Sequence, residues 1–506
     1  MPPLSRRPLA GLLIALCVAG TAASASAQDA AAARLFNEAE RLADSGDIRA
    51  ALGEYQLLDR QFPNDRLASA ALLASARIQR ALGEERGARD AIDKLLTEHP
   101  RTLEAASAFV LQGDLAFDRA RGREELSQAL TSYRRVPLLF SVEGYPNLPA
   151  RARALVRHGE ISLLLGDRES ALADFVAVAE DEPASPDAWR GRRLLGRTLL
   201  ESGQTAAALE TLQRLIDHAE APDAEKDAAR RLNSLAHRLI LRPSNGESPW
   251  QNAERYAPAN LKIEKAQGIA ASEDGQLLVL DAGDDRLIKI LTAGDTWQSQ
   301  VVKDAVRPGW GGGRGSVAFV VTEEKLRLPF DGQSVGFLEP KSGREKPLDD
   351  LRAAVRGPLG DWFLIAKGWK GLLAYQTPRR GEELLGTLRS ELVDLEYDAA
   401  GRVYALDRRE KRVLRLAVDR RSHEVVVQGD WRRPEALALD SLGNIYVLDR
   451  GERRVSVFGP SGRRIAALGP TLPGGLELKR PRDLSVDGSG RLWIADEDLP
   501  FLVSLQ

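Results

Sequence analysis

Four aspartates, Asp281, Asp407, Asp449 and Asp496, each stand six residues after a glycine: Gly275, Gly401, Gly443 and Gly490. Carboxylate oxygens are the ligands calcium prefers, so four brought to one point would make a cation site. Equal placement in repeated units argues against that outcome. It spreads the side chains around a ring, where each ends its strand and accepts hydrogen bonds from the following turn. The expectation is structural, and no metal or other cofactor is assigned.

Histidine sets a second bound. His99, His158, His218 and His237 fall in the first half, and the second half holds only His423, in the polar stretch RRSHEV. One histidine cannot supply a zinc ligand set, and a Ser-His-Asp arrangement would depend on it alone. The stretch GWGGGRG, 309–315, has the glycine content of a phosphate loop, but a phosphate loop needs a helix after it and SVAFVV reads as a strand. It is read as a loop at a strand edge, where Trp310 and Arg314 are candidates for contact with a ligand or partner. Trp362, Trp369 and Trp431 join them as aromatic contact candidates. No catalytic residue is assigned, and the chain is expected not to be an enzyme.

The elements behind these residues are repeats. In GDIRAALGEYQLLDRQFP, residues 46–63, Ala51, Tyr55 and Pro63 are spaced four and then eight. Ala171, Phe175 and Pro183 keep that spacing, and Gly87, Ala88, Ile92 and Pro100 form a third copy. A small residue lets two helices approach, a large one a turn later fills the groove, and proline stops the helix. These copies resemble the second helix of the tetratricopeptide repeat (TPR). Pro63, Pro100, Pro137, Pro183 and Pro222 are spaced 37, 37, 46 and 39, predicting about five units over 30–222 and a capping helix near 224–241. The endings FPND and EHPRT resemble TPR proteins of the outer-membrane assembly and Tol–Pal-associated type. LLFSVEGYPNLP, 138–149, is read as a connector between units three and four.

RPSNGESPW, 242–250, has linker composition, and 242–257 is assigned as the linker. Beyond it, short apolar runs follow Gly275, Gly315, Gly360, Gly401, Gly443 and Gly490, spaced 40, 45, 41, 42 and 47. Six even units of several short strands predict a propeller over 258–506. The run after each glycine is apolar on both faces because neighbouring blades cover both. Pro434, Leu437, Asp440, Gly443, Tyr446, Val447, Asp449, Arg454 and Val455 resemble the NHL repeat of six-bladed propellers. Pro481, Leu484, Asp487, Gly490, Trp493, Ile494 and Asp496 follow the same pattern, as do Asp398, Gly401, Tyr404, Asp407 and Arg412, and Gly268, Gly275, Asp281 and Arg286. Val321 and Ala366 stand where the aspartate is expected in two eroded blades, and a strand near 258–264 is expected to close the ring. The resemblance implies a fold that hosts lyases, lactonases, RNA binders and protein binders. Its zinc-dependent amidating members use several propeller histidines, which this chain lacks.

The fold class expected is thus multidomain α plus all-β: an N-terminal TPR superhelix over 28–241 and a six-bladed β-propeller. Of 506 residues, Lys and Arg make 71 and Asp and Glu 73, a balance that demands no nucleic acid. Residues 402–464 carry 15 basic and 9 acidic side chains, read as a solvated rim. Arg6, Arg7, the apolar run Leu9–Val18 and Ala25-Ser26-Ala27 read as a secretory signal peptide over 1–27, which contains the sole cysteine, Cys17. Export to the periplasm is expected, with no membrane span in the mature chain. Two interaction folds in tandem predict a protein-binding scaffold or adaptor of the cell envelope. A propeller sensing a carbohydrate or other small ligand, and a calcium-dependent lactonase-like or lyase-like propeller, are the alternatives.

Overall fold

The computed structural model describes residues 27–506 apart from 121, 183, 242–248, 273–274, 292–295, 312–316, 329–332, 341–346, 358–360, 378–379, 387–389, 399–400 and 418–421. The expected signal peptide, most of the linker and Arg314 therefore lie outside the described residues.

Eleven helices occupy the described N-terminal half: α1 (Ala27–Asp44), α2 (Ile48–Gln61), α3 (Ala68–Ala81), α4 (Glu85–Glu98), α5 (Leu103–Arg119), α6 (Arg123–Leu139), α7 (Pro149–Leu164), α8 (Arg168–Asp181), α9 (Pro186–Glu201), α10 (Thr205–Asp217) and α11 (Asp223–Ala236). They make five antiparallel pairs and a final helix, continued by a π-type turn at His237–Leu241. The small-then-large pattern is buried as predicted: Ala51 and Tyr55, Ala88 and Ile92, and Ala171 and Phe175 are all core residues. A helix glycine on the preceding helix receives the large residue. A Cβ at Gly113 would fall 2.7 Å from the Tyr133 ring, and one at Gly159 2.6 Å from the Phe175 ring. Caps fix several starts, with Asp47, Thr102 and Ser185 side chains accepting the amides of Ala50, Ala105 and Ala188. Pro137 departs from its expected place: it sits inside the last turn of α6 rather than after it.

Twenty-four strands follow among the described residues, in six four-stranded antiparallel sheets. Blade 1 is β2 (Ala266–Ala271), β3 (Leu277–Asp281), β4 (Arg286–Leu291) and β5 (Thr296–Val301). Blade 2 is β6 (Ala305–Gly311), β7 (Val317–Thr322), β8 (Lys325–Leu328) and β9 (Gln333–Gly336). Blade 3 is β10 (Leu351–Arg356), β11 (Trp362–Ala366), β12 (Leu372–Thr377) and β13 (Arg380–Leu384). Blade 4 is β14 (Leu392–Tyr397), β15 (Val403–Asp407), β16 (Arg412–Leu416) and β17 (His423–Gln428). Blade 5 is β18 (Pro434–Leu439), β19 (Ile445–Asp449), β20 (Arg454–Phe458) and β21 (Arg464–Leu468). Blade 6 combines β22 (Pro481–Val486), β23 (Leu492–Asp496) and β24 (Leu502–Leu505) with β1 (Ala253–Tyr256).

The ring closes because β1 pairs antiparallel with β24, Ala253 opposite Leu505. The closing strand thus starts before the expected 258–264 and lies within the stretch read as linker. Second strands β3, β15, β19 and β23 are buried at every residue, the two-faced burial predicted for them. Gly275, Gly401, Gly443 and Gly490 turn into these strands at positive φ, between 76° and 85°. In blade 2 the register sets Thr322 opposite Ala305, as Asp281 stands opposite Ala266. Thr322, not Val321, therefore takes the aspartate's place, and its hydroxyl donates to Lys325 O at 2.8 Å.

Contacts divide the chain into two compact units, and the division falls within α7. One unit holds α1–α5, α6 from Glu124, α7 through His158 and residues 181–182; the other holds 122–123, the rest of α7, α8 through Glu180, α9–α11 and all strands. In this second unit, helices and blades share one core. Trp189, Leu212, Leu232 and Leu235 cluster with Trp250, Tyr446, Val457, Leu484 and Leu492. Arg238 adds a bond from Nη2 to Gly490 O at 2.7 Å.

Candidate functional site

In the first unit, the first helices of successive pairs bring charge together around Asp114 of α5. Asp114 is 1% exposed, and accepts from Arg80 (3.0 Å), Arg153 (2.7 Å) and the Tyr133 hydroxyl (2.7 Å), with Arg157 at 3.7 Å. Burial alone would push its pKa up; Arg153, Tyr133, Arg157 and Arg80 outweigh it and hold the carboxyl below its ordinary range. Arg77 stands near the same cluster, and burial together with the Arg153 charge lowers its pKa. The result is an arginine-rich face built from α3, α5 and α7. Beside it, α4, α5 and α6 enclose a cleft of about 540 Å³ lined by Arg89, Asp93, Gln112, Arg119, Glu125 and Gln128, among others.

At the propeller axis, the six first strands β2, β6, β10, β14, β18 and β22 contact one another in a ring. Each carries a bulge at the same place, so its third residue takes an equivalent position: Gly268, Arg307, Ala353, Asp394, Ala436 and Asp483. Charged residues alternate with Gly or Ala, and only the alternate blades 2, 4 and 6 reach inward. Arg307 forms an ion pair with Asp394 across the ring and stands 3.7 Å from Asp483. Asp394 and Asp483 also accept the amides of Leu437 (2.7 Å) and Ile269 (3.0 Å) in neighbouring blades. Burial pushes Asp483 up to about 7 despite Arg307, raises Asp394, and takes Glu396, two residues along the strand, up to about 8. An internal guanidinium thus sits among the carboxylates. Among the described residues, no three His, Asp or Glu are arranged to hold a metal ion.

The four recurring aspartates do a different job. Asp281 accepts the amides of Glu264 (3.1 Å) and Lys265 (2.8 Å), and Asp449 those of Arg432 (2.7 Å) and Arg433 (2.8 Å). Asp496 accepts those of Lys479 (2.8 Å) and Arg480 (2.9 Å), and Asp407 that of Glu391 (3.1 Å). Each also accepts an amide of its following turn: Gly283, Glu410, Gly451 or Asp498. In blades 1, 4, 5 and 6 a carboxylate at the end of the second strand therefore pins the segment entering its own blade. The turn reading anticipated the second set of bonds and missed the first.

The tryptophans do not converge. Trp310 lies on β6, half-buried, with its indole N–H donating to Ala270 O at 3.1 Å. Trp362 packs edge-on against Phe319 at 5.2 Å, and Trp369 borders the same core. Trp431 is buried against Phe458, between blades 4 and 5. His423 stands on the outer strand β17.

Comparison with known proteins places a tetratricopeptide repeat family model on residues 70–102. No curated protein matches the chain. Among solved structures, a streptogramin B lyase is similar at 10% identity and TM-score 0.38, covering 50% of this chain and 97% of its own. A gluconolactonase from Xanthomonas campestris is similar at 12% identity and TM-score 0.38, covering 51% of this chain and 95% of its own. Regucalcin, a calcium-binding protein from Agrobacterium tumefaciens str. C58, is similar at 15% identity and TM-score 0.37, covering 50% of this chain and 93% of its own. Helical pairs with TPR packing, followed by a ring of six blades, make the chain a tetratricopeptide-repeat protein that carries a six-bladed β-propeller.

Proposed function

We propose that the protein is an exported, non-catalytic scaffold of the cell envelope: the helical repeats take a peptide segment of one partner and the propeller face takes a second. The observation that carries the reading is how the carboxylates of the propeller are used. Asp281, Asp407, Asp449 and Asp496 are engaged by backbone amides, and Asp394 and Asp483 by amides and Arg307. Side chains committed in this way maintain the blades, which supports surface contact as the means of action. The arginine-rich face around Asp114 suits a partner segment bearing carboxylates, and the N-terminal residues 1–27 have the pattern of an export signal.

The test is affinity capture from envelope extract with the full chain and with its Arg153→Glu variant, both checked for native circular dichroism. One identified protein retained by the parent and lost from the variant supports the scaffold reading. Equal retention by both, or calcium-dependent lactone or lyase turnover by the purified chain, would overturn it.

A further inference from the structure

In the first unit, the exposed large apolar side chains among the described residues are Leu103, Leu138, Leu139 and Val142, at 49%, 70%, 56% and 38% exposure. They share one end of the unit. Leu138 and Leu139 close α6, Val142 follows, and the Tyr145 hydroxyl donates to Arg101 O at 3.3 Å, next to Leu103 at the start of α5. The segment is braced from below. Phe140 is buried and stacks edge-on with Tyr145 at 5.0 Å. Arg151, buried and paired with Glu182, donates Nη1 to Phe140 O (3.1 Å) and Tyr145 O (3.0 Å). A buried ion pair thus fixes the backbone that holds three aliphatic side chains in water.

Charge indicates what they meet. Arg101, Arg134 and Arg135 are exposed beside the aliphatic residues, and Glu143 is the one acid between 134 and 149. Aliphatic residues at a tip, rimmed by arginines, match the layering of a bilayer surface, where chains enter the acyl boundary and cations meet phosphate. We infer that this end of the first unit is a peripheral contact for an anionic lipid surface, with Leu138, Leu139 and Val142 entering the interface and Arg101, Arg134 and Arg135 facing headgroups.

The test uses the full chain with Cys17→Ser, an environment-sensitive NBD label on Leu139→Cys, and vesicles of phosphatidylcholine with or without phosphatidylglycerol. The label should shift to the blue and gain about two-fold in intensity on phosphatidylglycerol vesicles, and less on phosphatidylcholine alone. The gain should fall at high salt and in Arg134→Glu/Arg135→Glu. A label on Glu54→Cys, on α2, should not respond. No shift at position 139 overturns the inference, as does an equal shift at position 54, which would place the lipid contact elsewhere in the chain. Emission already blue without vesicles, and unchanged by them, would show the patch covered by protein and also overturns it.

Discussion

The Tyr446 hydroxyl donates to Asp440 Oδ2 at 2.9 Å, six residues back across the hairpin of blade 5. The same span joins Tyr404 to Asp398 (3.1 Å) and Trp493 to Asp487 (2.9 Å). In each blade the aspartate accepts an amide beyond the glycine turn, and the aromatic residue then fills the core. The recurring Asp–Gly–aromatic pattern is thus a hydrogen-bond device that sets hairpin register.

Tyr446→Phe removes one donor from a buried carboxylate and should cost about 1–3 kcal/mol, seen as a lower urea midpoint with unchanged slope. Tyr404→Phe should cost about as much, and the pair should add, because the two sites share no partner. A strongly non-additive pair would contradict independent devices in separate blades.

Arg307→Met leaves Asp394 and Asp483 facing the axis without their cation. The loss should be about 3–5 kcal/mol at pH 8, by urea unfolding. Without the arginine both carboxyl pKa values rise further, so the defect should shrink as pH falls toward 5 and the acids take up protons. Adding Asp394→Asn and Asp483→Asn to that variant should restore most of the stability at pH 8.

Glu396 is raised to about 8 in the fold from an ordinary value of 4.5. A carboxyl whose folded pKa is raised costs stability as pH climbs from the unfolded value to the folded one, here from about 4.5 to about 8. Glu396→Gln should therefore melt about 2–4 °C above the parent at pH 8, and match it near pH 4.5. Equal melting temperatures at pH 8 would show that the carboxyl titrates normally.

Gly113→Ala places a methyl 2.7 Å from the Tyr133 ring, whose hydroxyl also holds Asp114. Overpacking there should cost about 1–3 kcal/mol. Gly46→Ala, in a turn with open space but φ of 88°, should also destabilise, through backbone strain alone. Calorimetry of the two variants separates crowding from conformation: adding Tyr133→Phe should relieve neither, and adding Tyr133→Ala only the first.

Local signals in the sequence carried the architecture. The Ala–large–Pro spacing marks helix pairs because close approach needs a small residue at one fixed position, and the even glycines mark hairpins because only a few residue types accept positive φ. The axial cluster was not legible, since Arg307, Asp394 and Asp483 lie in alternate blades and meet only through closure of the ring. Comparing the third residue of all six first strands would have exposed the alternation. Thr322 was missed because the eroded blade 2 offers no aspartate to fix its register. Nor did composition reveal the division within α7, which depends on side chains of α9–α11 entering the core of blades 5 and 6.

That shared core limits how this lineage can change length. A helical pair added or deleted upstream of α7 alters only neighbour-to-neighbour packing, the permissive case for a solenoid. The same event at α9 or α10 would remove Trp189 or Leu212 from a core that also holds Tyr446 and Leu484. Repeat number is therefore free to drift at the N-terminal end and fixed beside the blades, so relatives of different length should differ in their first repeats and keep the last ones.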